Sequence, residues 1–283
     1  MQKVQKNEVV RESLALVSGV TYAVVPSWYG VTCRNLQMDL IVPKRRAAGK
    51  PRPLLIWLCG GAFSVMDKSV WIPELIEYAR RGYIVASLEY RTMQESCFPV
   101  PVMDIKAGIR YLKAHAEQYL IDSEKIAIAG ESAGATLAGL AGMMRDRKYD
   151  AGDYQEWSSE VRAVIDFYGI SDMQLLKQDK SRLSEEVFLQ FLDRGDRQLC
   201  HEASLLSHVD RNTPPFLLFH GEQDSTVPII HSERLYEALE KKGVRTDFYR
   251  FPSAGHGDDR FYQEDTVGIT DAFLKEVLGI SQN

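Results

Sequence analysis

The chain has 283 residues, of which 45% are hydrophobic and 26% charged, with 20 glycines and 11 prolines. That composition excludes a mostly disordered chain, and the length suits one large α/β domain or two small ones. A net charge of −5 leaves no electrostatic footprint for nucleic acid, and no apolar run reaches the ~18–20 residues a membrane span needs.

At the amino end, residues 14–25 are moderately apolar. Glu8 and Glu12 precede them, Ser18, Gly19, Thr21 and Tyr22 dilute them, and no clean small-residue cleavage site follows. They read as a first strand or hairpin arm rather than a secretory signal, which implies a cytoplasmic protein. Cys33, Cys59, Cys97 and Cys200 lie far apart without a C-x-x-C, so free thiols are expected rather than zinc ligands or a disulfide framework.

Strand-like runs recur at 21–25, 36–42, 54–59, 83–88, 125–129, 163–168, 216–220 and 246–251. Several are continuous apolar runs, such as Leu54-Leu55-Ile56-Trp57-Leu58, as expected of strands buried on both faces. Helical periodicity fills 70–81, 102–119, 132–145, 232–242 and 266–278, with Ile105, Ile109, Leu112 and Ala116 along one face of the second. The alternation predicts an α/β fold, a mostly parallel sheet with helices on both faces. The first two strands have no helix between them and should pair antiparallel. Residues 44–53 read as an exposed loop, and 171–212 as a lid-like insertion with one helical segment near 183–192. One domain over 1–283 is expected.

The strongest chemical signal is Gly130-Glu131-Ser132-Ala133-Gly134 between a strand and a small-residue helix. In that context the pentapeptide presents a serine on a tight turn, with the Ala133 amide at the helix start free to donate to an oxyanion. A serine hydroxyl needs a base and an orienting acid. His256, in Gly255-His256-Gly257 beyond the last strand, is placed for the base. His220 closes an apolar strand and reads as packed. Asp224, just past the strand at 216–220, is the expected acid, with Glu222 and Asp172 as rivals. Consecutive small residues in Cys59-Gly60-Gly61-Ala62 allow backbone N–H groups to converge on an oxyanion. No H-E-x-x-H, Walker A or G-x-G-x-x-G pattern follows a strand, so neither metal nor cofactor is expected. Trp28, Tyr29, Phe63 and Trp71 either line the mouth of the site or pack in the core.

Taken together, these residues resemble the α/β-hydrolase superfamily, and within it esterases related to hormone-sensitive lipase and to bacterial acetylxylan and feruloyl esterases. The likeness extends over about 22–278. It includes Glu89-Tyr90-Arg91, Phe98-Pro99 with Asp104 and Lys106, the elbow continued as Ser-Ala-Gly-Ala-Thr-Leu-Ala, Pro214-Pro215 before the strand at 216–220, and the His256 loop. It implies a sheet of about eight strands, a Ser132-His256-Asp224 triad, and an oxyanion hole from Gly61, Ala62 and Ala133. It further implies hydrolysis of small-molecule or carbohydrate esters. The family's usual His-Gly-Gly-Gly is here Cys59-Gly60-Gly61-Ala62; alanine keeps the N–H, whereas a thiol is a weak donor. A serine peptidase of the prolyl-oligopeptidase type shares the triad order but usually carries a propeller domain, for which this chain has no room. A non-catalytic relative would commonly have lost a triad member.

Overall fold

The computed structural model describes residues 3, 8, 11–27, 30–44, 49–178, 182–193 and 197–281. Trp28, Tyr29 and the middle of the expected 44–53 loop lie outside the described residues. The first half of the chain runs β1 (Leu14–Ser27), β2 (Thr32–Pro43), β3 (Arg52–Leu58), α1 (Ile72–Arg80), β4 (Ile84–Leu88), α2 (Val100–Ala114), α3 (Ala116–Tyr119), β5 (Ile121–Glu131) and α4 (Ala133–Met143). The second runs β6 (Ala163–Phe167), α5 (Met173–Gln178), α6 (Arg182–Glu186), α7 (Arg197–Glu202), β7 (Phe216–Gly221), α8 (Ile230–Lys241), β8 (Thr246–Phe251) and α9 (Glu264–Val277).

The eight strands form one sheet in the order β1-β2-β4-β3-β5-β6-β7-β8. β1 pairs antiparallel with β2 and β2 with β4; every later pairing is parallel. The expected antiparallel start and parallel remainder are both present. Strand periodicity divides the core into two layers. Leu54, Ile56 and Leu58 enter the cluster beneath α2, α4 and α8, while Leu55 and Trp57 enter the one beneath α1 and α9. Among the described residues no helix is long and apolar enough to cross a membrane.

Two expectations need correction. The helix anticipated over 102–119 stops at Ala114, and a separate turn, α3, follows His115. Ile105, Ile109 and Leu112 are buried as expected while Ala116 is half-buried in α3, and Asp104, Lys106 and Arg110 are buried as well. Burial of those charges is met by partners: Asp104 accepts from Arg91, and Asp150 lies 3.3 Å from Lys106 and 3.2 Å from Arg110. The insertion holds more helix than the one segment anticipated. α5, a π-helical turn over Val187–Phe191, and α7 contribute Met173, Leu176, Val187, Phe191 and Cys200 to the core.

β3 and β5 are neighbours, yet α1 leaves β3 towards one face and α4 leaves β5 towards the other. Diverging connections of this kind open a crevice at the carboxyl ends of the strands. The loop over 59–63 and the serine turn both lie there.

Candidate active site

Ser132 sits between β5 and α4 with φ 53° and ψ −123°, a conformation rare for a residue bearing a Cβ. The flanking glycines are required by packing. A Cβ on Gly130 would stand 2.5 Å from Gly134 O, and one on Gly134 would overlap the carbonyl oxygens of Leu58 and Cys59. The elbow can therefore close only with glycine at both positions, and closing it presses the start of α4 against the end of β3. Ser132 N–H donates to Phe167 O at 2.9 Å. That leaves the Ala133 N–H, first in α4, as the donor at the turn.

His256 bridges the other two residues. Its Nδ1 is 2.7 Å from Asp224 Oδ2 and its Nε2 is 2.9 Å from Ser132 Oγ. An ionised carboxylate can only accept, so Nδ1 carries the proton and Nε2 accepts from the serine hydroxyl. Asp224 has a side chain closed to solvent. Its Oδ1 accepts from the N–H groups of Thr226 at 2.9 Å and Val227 at 2.8 Å. Burial alone would raise this carboxyl, but hydrogen bonds from His220 and His256, the His256 charge and the Val227 amide outweigh it. The group is held far below the usual carboxylate range and stays ionised.

The rivals are occupied elsewhere. Glu222 pairs with Arg250 at 2.9 Å. Asp172 Oδ1 accepts from Gln174 N–H at 2.8 Å at the start of α5, and its Oδ2 lies 3.4 Å from Arg234.

Gly61, Ala62 and Phe63 have φ of 120°, 54° and 60° in succession. Such a run of positive φ turns consecutive N–H groups inward. Strain at the two non-glycine positions is held by packing: Phe63 is buried and stacked on Phe191 at 4.2 Å, and its carbonyl accepts from Met93 N–H at 2.7 Å. Phe63 is thus core, not mouth. Burial pushes the Cys59 thiol up to about 11, so it is neutral beside the serine.

Sequence reasoning missed three residues. His220 is packed, as expected, but its Nε2 also approaches Asp224 Oδ2 at 3.4 Å while donating to Val227 O at 2.8 Å. Tyr168, with φ 47°, sets its ring 4.8 Å from that of His256. Glu131 turns its buried carboxylate to the Gly60 N–H and to Trp71 Nε1. Each of His220 and Glu131 lies just beyond an apolar run, Phe216–Phe219 and Ile126–Ala129, which marks a strand end without disclosing the partner across the sheet.

Comparison with known proteins agrees with this architecture. The BD-FAE family model matches residues 38–239. Esterase LipC of Mycobacterium tuberculosis is 31% identical over 221 residues, covering 74% of this chain and 54% of that protein. The chain spans about half the length of this relative and of the Mycobacterium tuberculosis proteins LipM and LipQ, which it also matches. A truncated carbohydrate esterase from gut microbiota superposes with a TM-score of 0.80 at 24% identity, covering 95% of this chain and 98% of the other. Thermogutta terrifontis esterase 2 with propionate bound gives 0.77 at 23%, covering 98% of each. At those identities the structural likeness speaks for the fold.

Proposed function

We propose that this chain, which belongs to the BD-FAE family and has the α/β-hydrolase fold, is a serine carboxylesterase for short-chain acyl esters. The observation that carries the reading is His256, within hydrogen-bond reach of both Ser132 and Asp224. In this mechanism Ser132 Oγ attacks the ester carbonyl carbon as its proton passes to His256 Nε2. Asp224 fixes the imidazole tautomer and stabilises the imidazolium. The N–H groups of Gly61, Ala62 and Ala133 receive the oxyanion of the tetrahedral intermediate. His256 then protonates the departing alcohol, leaving an acyl-enzyme, and activates the water that hydrolyses it.

Short acyl groups are favoured because the insertion is short and bears Asp172, Lys177, Glu185 and Glu186, unlike an apolar lipase lid. The propionate in the Thermogutta esterase accords with a short acyl group, the carbohydrate esterase among the fold neighbours accords with a sugar ester, and acetylated or feruloylated sugars are the substrates to try first. A p-nitrophenyl ester series from acetate to laurate, run beside acetylated xylo-oligosaccharide and methyl ferulate, tests the reading. We expect kcat/KM to peak at acetate to butyrate and to vanish in Ser132→Ala. A maximum at eight carbons or more with interfacial activation would refute the acyl preference, and undiminished hydrolysis by Ser132→Ala would refute the mechanism.

A further inference from the structure

Glu131 occupies the variable position of the G-x-S-x-G pentapeptide, and no step above uses it. It is 8% exposed. Two donors converge on its Oε1: the Gly60 N–H, and Trp71 Nε1–H at 3.3 Å. Gly60 directly precedes Gly61 and Ala62, and Trp71 lies at the far end of the same loop. A single carboxylate oxygen, on the residue adjacent to the nucleophile, thus pins both ends of the segment that carries the oxyanion donors. The fit leaves no slack. A Cβ on Gly60 would lie 2.6 Å from Glu131 Oε1 and 2.7 Å from its backbone oxygen.

The same anchor reaches the base through rings. Trp71 stacks on Tyr262 at 4.3 Å, the Tyr262 and Tyr168 hydroxyls hydrogen-bond, and Tyr168 packs on His256. A carboxylate held by an amide, an indole and the weakly donating Cys59 thiol, with no cation bonded to it among the described residues, is expensive to bury and adds little stability. Its position accounts for it, because oxyanion donors must be held within about 0.5 Å of the productive geometry.

We propose that Glu131 is a positioning residue: its carboxylate fixes the 59–71 loop through Gly60 N–H and Trp71 Nε1 so that the Gly61 and Ala62 amides are aligned on the oxyanion. This rests on the esterase reading. Removing one oxyanion donor outright costs about 10²–10³ in kcat, and misaligning the pair should fall at or below the lower bound.

The test compares Glu131→Ala, Glu131→Gln and Trp71→Phe with wild type on p-nitrophenyl acetate. It also measures inhibition by a trifluoromethyl ketone, which forms an oxyanion with the serine, and by the matching methyl alcohol, which does not. Expected are kcat losses of about 100-fold for Glu131→Ala, about 10-fold for Glu131→Gln, which keeps an acceptor oxygen, and about fivefold for Trp71→Phe. KM should stay within about threefold, trifluoromethyl ketone affinity should fall in step with kcat, and alcohol affinity should hold. Trp71→Phe removes the indole N–H while leaving a smaller aromatic ring to pack against Tyr262, so it probes the anchor without emptying the site. Glu131→Gln should melt no lower than wild type, since it removes a buried charge. Variants equal to wild type in kcat and ketone affinity would overturn the proposal. So would a parallel fall in kcat, alcohol affinity and melting temperature, which marks a merely structural role. A wild type that hydrolyses no ester would instead strike the esterase reading, and this inference with it.

Discussion

Replacing Asp224 by asparagine exchanges one oxygen for an amide at nearly constant volume, and the surroundings dictate which way it turns. Oδ1 faces two backbone donors, the N–H groups of Thr226 and Val227, so the asparagine oxygen must take that place. The NH₂ group then occupies the Oδ2 position, 2.7 Å from His256 Nδ1 and 3.4 Å from His220 Nε2. Donating to Nδ1, it forces the imidazole proton onto Nε2, pointing at Ser132 Oγ, where a base is needed. The wrong tautomer in a serine triad lowers kcat by about 10⁴, equivalent to about 5.5 kcal/mol at 1.36 kcal/mol per decade. The NH₂ also meets the His220 N–H donor head-on, for a stability cost of about 1–3 kcal/mol. Linkage adds a third signature. The carboxyl of Asp224 is held below its unfolded value, so it contributes stability above about pH 4 that is lost as pH falls towards its folded pKa. Asp224→Asn should accordingly flatten the acid limb of the melting curve. Steady-state hydrolysis of p-nitrophenyl acetate, with calorimetry from pH 3 to 8, reads all three effects. A kcat within tenfold of wild type, combined with a crippled Glu222→Gln or Asp172→Asn, would refute the assignment.

Ser132→Ala should fold and retain only the ~10³–10⁴ over water left to oxyanion and binding effects, and Ser132→Gly should melt higher because glycine relieves the φ of 53°; equal melting of the two would argue against strain. Asp166, fully buried on β6, has its carboxyl pushed up to about 6 by burial, against the opposing Gly169 N–H and His220. The folded state therefore binds the extra proton, and wild type should lose stability as pH rises from about 4 to 6, by roughly 2–3 kcal/mol. Asp166→Asn should abolish that slope in urea titrations at pH 4, 5, 6 and 7, and an unchanged slope would exclude Asp166 as its source. Phe191→Ala removes the ring stacked on Phe63 and should lower stability by about 3–5 kcal/mol, with kcat falling more than KM rises as the strained 61–63 turn relaxes. An unaltered melting temperature would mean that the insertion does not brace that turn.

The parts of the fold legible in the sequence were those set by local periodicity. Leu54–Leu58 reads as a strand buried on both sides, and the glycines around Ser132 announce a turn that no other residue could close. That Asp224 and His256 would converge with Ser132 was readable because each follows the end of a strand, and parallel strands deliver such positions to one edge. Within the insertion the segment near 183–192 was legible, as α6 and the π-helical turn after it, whereas α5 and α7 resisted because each is only 6 residues long, too short to display a periodic face. Glu131 was opaque for another reason. Its partner Gly60 is 71 residues away, and nothing in the pentapeptide shows that β3 ends beside it. His220 read as packed because its contact with Asp224 depends on how the segment 221–227 folds back.

The order of the strands also makes catalysis a late event in the life of the chain. In the proposed mechanism serine, acid and base follow β5, β7 and β8, and β8 is one of the sheet's two outer strands, paired among the described residues with β7 alone. Every residue of β7 is buried, whereas every residue of β8 is at least partly open to water. Backbone bonds at such a margin open at a lower free energy than those of the interior. When β8 detaches, the elbow and the oxyanion loop persist on β5 and β3, but the imidazole departs with the strand that leads to it. Turnover should accordingly fail at a lower urea concentration than far-UV ellipticity, and return last during refolding. Activity in this molecule is thus a gauge of whether one edge is docked, not of whether the core has formed.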